Sequence, residues 1–215
     1  MPIERRPLRE QIKDELLERL SRGELDTDQP INEAQMATEL GVSRTPLREA
    51  LIALERAGII LSEKGKGFRI APMSRQEFRD LTTIVAAMES LALELSDPGH
   101  LTSIAPRLLE EARAFSAPQA TYEMLERYDD AWHDRLLSGC PNGRLMELIM
   151  TLKLTMHRYE RLVVGDQEVL ERSAVEHERI AERLLAGDVQ GAVKDLKSNW
   201  ESGMKRILER ISDQV

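Results

Sequence analysis

The sequence predicts a mainly α protein in two parts: three helices and a β-hairpin over residues 1–72, then an all-α six-helix antiparallel bundle over 73–215. Three observations predict it. Apolar residues recur at helical rather than alternating spacing through most of the chain. The one β-capable stretch, IILSE and FRIAP around the turn KGKG, ends at Pro72, and no strand signal follows it. A hydrophobic content of 41% with only 4% aromatic residues suits packed helices better than stacked sheets.

In LREQIKDELLERLSR (8–22), Leu8, Ile12, Leu16 and Leu20 stand four apart, and Gly23 closes the helix. After ELDTDQP, Asn32 caps a short helix that runs through Leu40 and ends at Gly41. Ser43 then caps a third helix. Pro46 falls in its first turn, where a missing N–H is harmless, and Gly58 stops it. Leu47, Ala50, Leu51, Leu54 and Ala57 form its buried stripe. The hairpin follows. With only Gly41 and Val42 between the second helix and the cap of the third, this order describes an N-terminal winged helix-turn-helix domain. In the second part, helices are expected at 74–96, 101–115, 119–138, 142–163, 166–186 and 188–212, separated by DPG, SAP, GCPN, VGD and GD. Six antiparallel helices of this size enclose one core.

No apolar run approaches the roughly 18 residues of a membrane span, and MPIERRPLREQ has no apolar core for a secretory signal. The expectation is a cytoplasmic protein with no membrane partner. The single Cys140 cannot form an intrachain disulfide, which fits a reducing compartment. Net charge is −8, but it is unevenly spread: residues 1–72 hold 12 Lys/Arg against 13 Asp/Glu, and residues 73–215 hold 18 against 25. Within residues 43–69 the balance reverses, with 6 basic against 3 acidic residues. A local basic surface on an acidic protein can engage phosphate, because the potential at the contact face decides.

Arg44 and Arg48 lie about 40° apart on a helical wheel, and Thr45 lies on the side away from the Leu47/Leu51/Leu54 stripe. All three are expected to be exposed. One reading is a solvated face that aids solubility. The other follows from the motif, whose second helix presents its N-terminal residues to base edges, where arginine's fork pairs with guanine or clamps phosphate. The helix N-terminus, with Ser43 at its cap, adds donors of its own. Lys64, Gly65, Lys66 and Gly67 suit a hairpin tip that approaches a phosphate or a minor groove. Together these features favour double-stranded DNA as the partner.

In the second part, Tyr122, Leu125, Asp129, Trp132 and Leu136 keep a helical rhythm that places Asp129 on a buried stripe, with His133 one turn on. His177 shares a stripe with Ile180, Ala181 and Leu184, and Asn199 with Ala192, Leu196 and Gly203. Left unpaired, such buried polar groups cost roughly 1–3 kcal/mol each. Two readings stand side by side. Asp129, His133 and His177 make most of a site for a divalent metal (Zn, Ni or Mn), or they form a satisfied network with no metal. An Asp/His/His centre with an open position could also activate water, which keeps a metal-dependent hydrolase as the alternative function, although no separate general base stands out.

The run LGVSRTPLREAL followed by LERAGII, within residues 8–72, closely resembles the N-terminal domain of the GntR family of bacterial transcription regulators. The resemblance implies that Arg44, Thr45 and Arg48 contact the operator and that Lys64 and Gly65 are wing positions reaching into the groove. Ala34 stands where some members carry an arginine, which implies an altered operator preference. DDAWHDRL (129–136) and EHERIAERLLAGDVQGA (176–192) resemble elements of the FCD ligand-binding domain of the FadR branch, and six helices rather than seven resemble its VanR-like subgroup. Metal-binding members carry four ligands. By resemblance these fall on Asp129, His133 and His177, with Asn199 in place of the fourth, a His. Val85, on the apolar line Phe78, Leu81, Val85, Met88 and Ala92, stands where many members have a pocket arginine, and Asn199, Val85 and His157 are the expected effector-pocket residues. His100, beside Pro98 and Gly99, is expected in a loop. The resemblance implies a homodimeric regulator, a repressor rather than an activator, controlled by a small organic effector.

Overall fold

Asn32 opens the helix-turn-helix as a side-chain cap should: its Oδ1 accepts a hydrogen bond from the Gln35 backbone N–H at 3.1 Å. A computed structural model describes residues 6–21, 24–25, 29–115, 122–160 and 167–211. They divide into two compact units within Met1–Met73 and Ser74–Val215. The expected stop at Gly23, the turns at 116–118 and 164–166, and the side chains of Tyr122 and Leu125 lie outside the described residues.

The first unit runs α1 (Leu8–Ser21), α2 (Glu33–Glu39), α3 (Arg44–Arg56), β1 (Ile60–Glu63) and β2 (Gly67–Ile70). Four residues of the predicted α3 stripe, Leu47, Ala50, Leu51 and Leu54, are withdrawn from water, and α3 packs against α1. The fifth, Ala57, is the C-cap and only half-buried, because the helix ends at Arg56. On α1, Ile12 and Leu16 are buried but Leu8 is exposed, because the helix starts a turn before its contact with the core. Ser43 sits at the α3 N-cap with extended backbone, yet its hydroxyl makes no cap hydrogen bond. β1 and β2 pair antiparallel with Ile60 opposite Ile70 and Glu63 opposite Gly67. A bridge from Pro30 to Arg69 lays a third short segment against the hairpin.

The hairpin tip follows from backbone geometry. Lys66 N–H donates to the Glu63 carbonyl at 3.0 Å, and Gly65, third residue of that turn, has φ +81°. This is the left-handed position of a type II turn, for which glycine is the default residue.

The second unit contains, among the described residues, α4 (Arg75–Leu95), α5 (Pro98–Phe115), α6 (Tyr122–Leu136), α7 (Gly143–Glu160), α8 (Gln167–Leu185) and α9 (Val189–Leu208). α4 packs on α7 and α9, while α8 joins α9 and α5, and α5 joins α6. No described helix is long and apolar enough to cross a membrane. Two expectations need correction. α5 begins at Pro98 rather than 101, because proline suits a first helical position and Asp97 Oδ1 accepts from His100 N–H at 2.8 Å. His100 is therefore helical rather than a loop residue. Its ring bonds to Ser138 Oγ at 2.9 Å and lies so close to Gly139 that a Cβ there would meet it at 2.5 Å. The buried line of α4 also differs from the expected Phe78, Leu81, Val85, Met88 and Ala92. Thr82 and Glu89 are buried with Phe78, Val85 and Ala92, whereas Leu81 and Met88 are half-buried.

Candidate functional site

Two constellations in the two units carry chemistry. In the first, the N-terminal turns of α3 face solvent: Ser43, Arg44, Thr45 and Arg48 are all exposed. With Ala34 and Glu33 of α2, the residues Arg44, Thr45 and Arg48 line a shallow open cleft. Arg48 is held loosely. Its Nη1 lies 3.5 Å from Glu33 Oε2 with 63% of its side chain exposed, and its guanidinium lies 5.7 Å from the centre of the Phe68 ring on β2. Exposed pairs of this kind contribute little to stability, so Arg48 can exchange Glu33 for a phosphate or base edge at small cost. Lys64 and Gly65 are exposed at the hairpin tip. Lys66 and Arg69 are tied to Glu63, at 3.3 Å and 2.5 Å, and these two pairs hold the Glu63 carboxyl below the usual carboxylate range, the Lys66 hydrogen bond first.

The second constellation lies inside the helical unit. Asp129 and His133 on α6 and His177 on α8 each offer one ligand atom, and these atoms lie within 4.8 Å of one another. His177 Nε2 is 3.6 Å from Asp129 Oδ1. A tetrahedral ion with bonds of about 2.1 Å needs ligand atoms roughly 3.4 Å apart, so contraction of this cluster would supply three of its four donors. Asp129 is half-buried, while His133 and His177 are buried.

The surroundings aim these ligands. His133 Nδ1 is 2.9 Å from Glu89 Oε2, and Trp200 Nε1–H donates to the same oxygen at 2.8 Å. Burial alone would raise the Glu89 carboxyl, but the charges of His133 and Lys153 and the hydrogen bonds from His133 and Trp200 outweigh it and hold it below the usual range. An ionised carboxylate only accepts, so Nδ1 of His133 carries the proton and Nε2 is the atom left for a metal. For His133, burial works to lower the pKa, and the Glu89 carboxylate more than reverses it, leaving it above 6.5. His177 shifts the other way: burial first, then the charges of His133, Lys153 and Arg206, push it well below 6.5, which keeps the imidazole neutral. Its ring stacks on Trp132 with centroids 3.9 Å apart and planes 6° from parallel. Withdrawal from water raises the Asp129 carboxyl above its ordinary value, against the pull of His133 and Lys153. One carboxylate and two imidazoles, one of them oriented by a second carboxylate, fit a divalent transition metal.

The other expected pocket residues fall differently. Asn199 is buried, and its Nδ2 donates to Glu176 Oε2 at 2.8 Å, an oxygen it shares with Arg206 Nη2 at 3.3 Å. His157 Nε2 is 3.0 Å from Asp130 Oδ2. Val85 is wholly buried in the apolar face of α4. Sequence reasoning missed Glu89, Lys153 and Trp200. Lys153 Nζ sits 3.5 Å from Glu89 Oε1 and 3.4 Å from Asp130 Oδ1. The one usable signal was Glu89 itself, in register with Phe78, Val85 and Ala92 at helical spacing.

Residues 8–70 match the family described as bacterial regulatory proteins, gntR family, and residues 73–201 match the FCD domain. The chain belongs to the GntR family and carries an FCD domain. It is a transcription regulator rather than an enzyme, which sets the hydrolase alternative aside. Over 206 residues it is 26% identical to the HTH-type transcriptional regulator YdhC of Bacillus subtilis, covering 93% of this chain and 92% of that one. It is 27% identical over 181 residues to the HTH-type transcriptional repressor GlaR of Escherichia coli, covering 80% and 82%. In fold, this regulator is similar to a GntR transcriptional regulator from Rhodococcus sp. RHA1, with a TM-score of 0.74 at 18% identity over 95% of this chain and 99% of that one.

Proposed function

We propose that this GntR/FCD regulator is a ligand-responsive repressor that binds an operator as a homodimer. Arg44, Thr45 and Arg48 read or clamp the major groove with Ser43 at the helix start, and Lys64 and Gly65 reach the neighbouring backbone. A small organic effector binds the helical unit, assisted by a divalent metal on Asp129, His133 and His177. Such a metal would act as a Lewis-acidic anchor for a donor atom of the effector, while Asn199, His157 and the wall around Val85 shape the rest of the pocket. The subgroup reading, VanR-like within the FadR branch, belongs to the same proposal.

The observation that carries it is the exposed arginine pair at the start of α3. Two basic side chains one turn apart, with one weak ion pair to the rest of the unit among the described residues, on the second helix of a helix-turn-helix, match what groove recognition requires. The repressor sense draws on similarity to the GlaR repressor. Homodimerisation predicts a symmetric site, since a two-fold protein reads two half-sites.

The test is selection of bound duplexes from a random-sequence pool, followed by fluorescence anisotropy on the enriched duplex with and without Ni2+. Enrichment of an inverted repeat supports the reading. Recovery of no common sequence, with binding that depends on salt alone, would overturn it.

A further inference from the structure

We propose that the first turn of α4 is the output of the metal centre, held by a clasp that Tyr159 closes from α7, and that occupancy of the centre reaches it through Glu89. The input rests on the metal reading given above. The output rests on separate geometry.

α4 is engaged at two points about 18 Å apart along its axis, twelve residues at about 1.5 Å each. At the inner point Glu89, fully buried, accepts from His133 of α6 and Trp200 of α9 and faces Lys153 of α7. At the outer point the Tyr159 hydroxyl donates to Glu77 Oε2 and accepts from the Ser74 backbone N–H at 3.0 Å. The Tyr159 ring is fully buried and stacks on Phe78, with centroids 4.8 Å apart. Next to it, Arg75 Nη1 donates to the carbonyls of Leu208 and Ile211 at 2.6 and 2.8 Å, tying the end of α9 to the same turn.

α7 and α9 therefore each grip α4 twice, once at the carboxylate that aims His133 and once at its first turn. Reorientation of the His133 ring on a metal moves the hydrogen bond that Glu89 accepts. A packed helix shifts as a unit rather than absorbing such a change in one side chain. Ser74, where the clasp ends, directly follows Met73, the last residue of the first unit. The hydroxyl is the breakable part: phenylalanine would keep the stacking and lose both hydrogen bonds.

Tyr159→Phe with hydrogen exchange of peptides spanning 74–82 tests this, using Ni2+ alone as the probe and calorimetry to show that it binds. In the wild type, Ni2+ is expected to change exchange in this segment. In Tyr159→Phe, Ni2+ binds within about twofold of wild type, as for a change remote from the site, but the effect on 74–82 is lost. Unchanged exchange in a wild type that demonstrably binds Ni2+ overturns the proposal, as does a wild-type response in Tyr159→Phe. If no Ni2+ binds, the metal reading fails by itself. Glu89→Gln then supplies the input without metal: altered exchange at 74–82 supports the coupling, and unaltered exchange in the folded variant refutes it.

Discussion

His133 Nδ1 lies 2.9 Å from Glu89 Oε2, so a candidate metal ligand on α6 is aimed by a buried carboxylate on α4. The same carboxylate faces Lys153 and accepts from Trp200. Three side chains from three other helices thus depend on one group. The arrangement is costly to break, because buried partners left alone keep their full desolvation penalty.

Glu89→Ala is accordingly expected to destabilise the protein by about 3–5 kcal/mol, the range for removing one partner of a buried ion pair. Urea denaturation followed by far-ultraviolet circular dichroism measures it. Glu89→Gln keeps an acceptor for Trp200 and should cost less. Its effect should fall on metal affinity instead, with a loss of about 10- to 100-fold, the usual consequence of removing an outer-shell partner of a ligating histidine. Equal metal affinity in Glu89→Gln and wild type would show that the carboxylate does not serve the ligand.

Glu89 also marks where the sequence stopped being legible. The stripe of α3 could be read because Leu47, Ala50, Leu51 and Leu54 share one helical period and one chemistry, and all four are buried. Asp129, His133 and His177 could be singled out because polar residues interrupt apolar stripes there, and their ligand atoms do meet. Glu89 interrupts a stripe in the same way, but a neighbouring line through Leu81 and Met88 is equally periodic and apolar, and local pattern favours it. What turns α4 toward Glu89 is pairing with residues 44 and 111 positions away in the chain. Such long-range compensation leaves no trace in local periodicity. The same holds for Asn199, whose polarity was visible but whose partner Glu176 was not.

Asn199→His should strengthen metal binding. The buried amide donates to Glu176 and so stands close to the carboxylate that precedes His177 in the chain, and an imidazole is a better donor than an amide oxygen for Zn2+ or Ni2+. Competition titrations with a chromophoric chelator should show tighter Ni2+ binding in Asn199→His and none in His177→Ala. Weaker binding in Asn199→His would mean that its bond to Glu176 matters more to the centre than a fourth ligand does.

At the wing tip, Gly65→Ala should destabilise the first unit by roughly 1–2 kcal/mol, the cost of placing a Cβ in the left-handed region. A methyl group at that position would have nothing within 4 Å of it, so conformation rather than space sets this cost. Asn tolerates that region better, and Gly65→Asn should recover much of the loss. Thermal denaturation of both variants compares them directly. Equal melting temperatures for Ala and Asn would show that the turn relaxes.

Arg44→Ala and Arg48→Ala should each weaken binding to the selected operator duplex by about 1–3 kcal/mol. Both side chains are exposed, and the pair Arg48 makes with Glu33 is long, at 3.5 Å, so neither change should alter the melting temperature measurably. Anisotropy titrations at several salt concentrations separate the two possible roles. An arginine that clamps phosphate lowers the slope of log affinity against log salt by about one when it is removed, and weakens all duplexes alike. An arginine that reads guanine leaves the slope nearly unchanged and relaxes preference at one position of the half-site. Arg48, already drawn toward Phe68 and Glu33 on the wing side, is expected to behave as the clamp, and Arg44, with no such tether among the described residues, as the reader. Unchanged operator affinity in both variants would remove α3 from the DNA interface altogether.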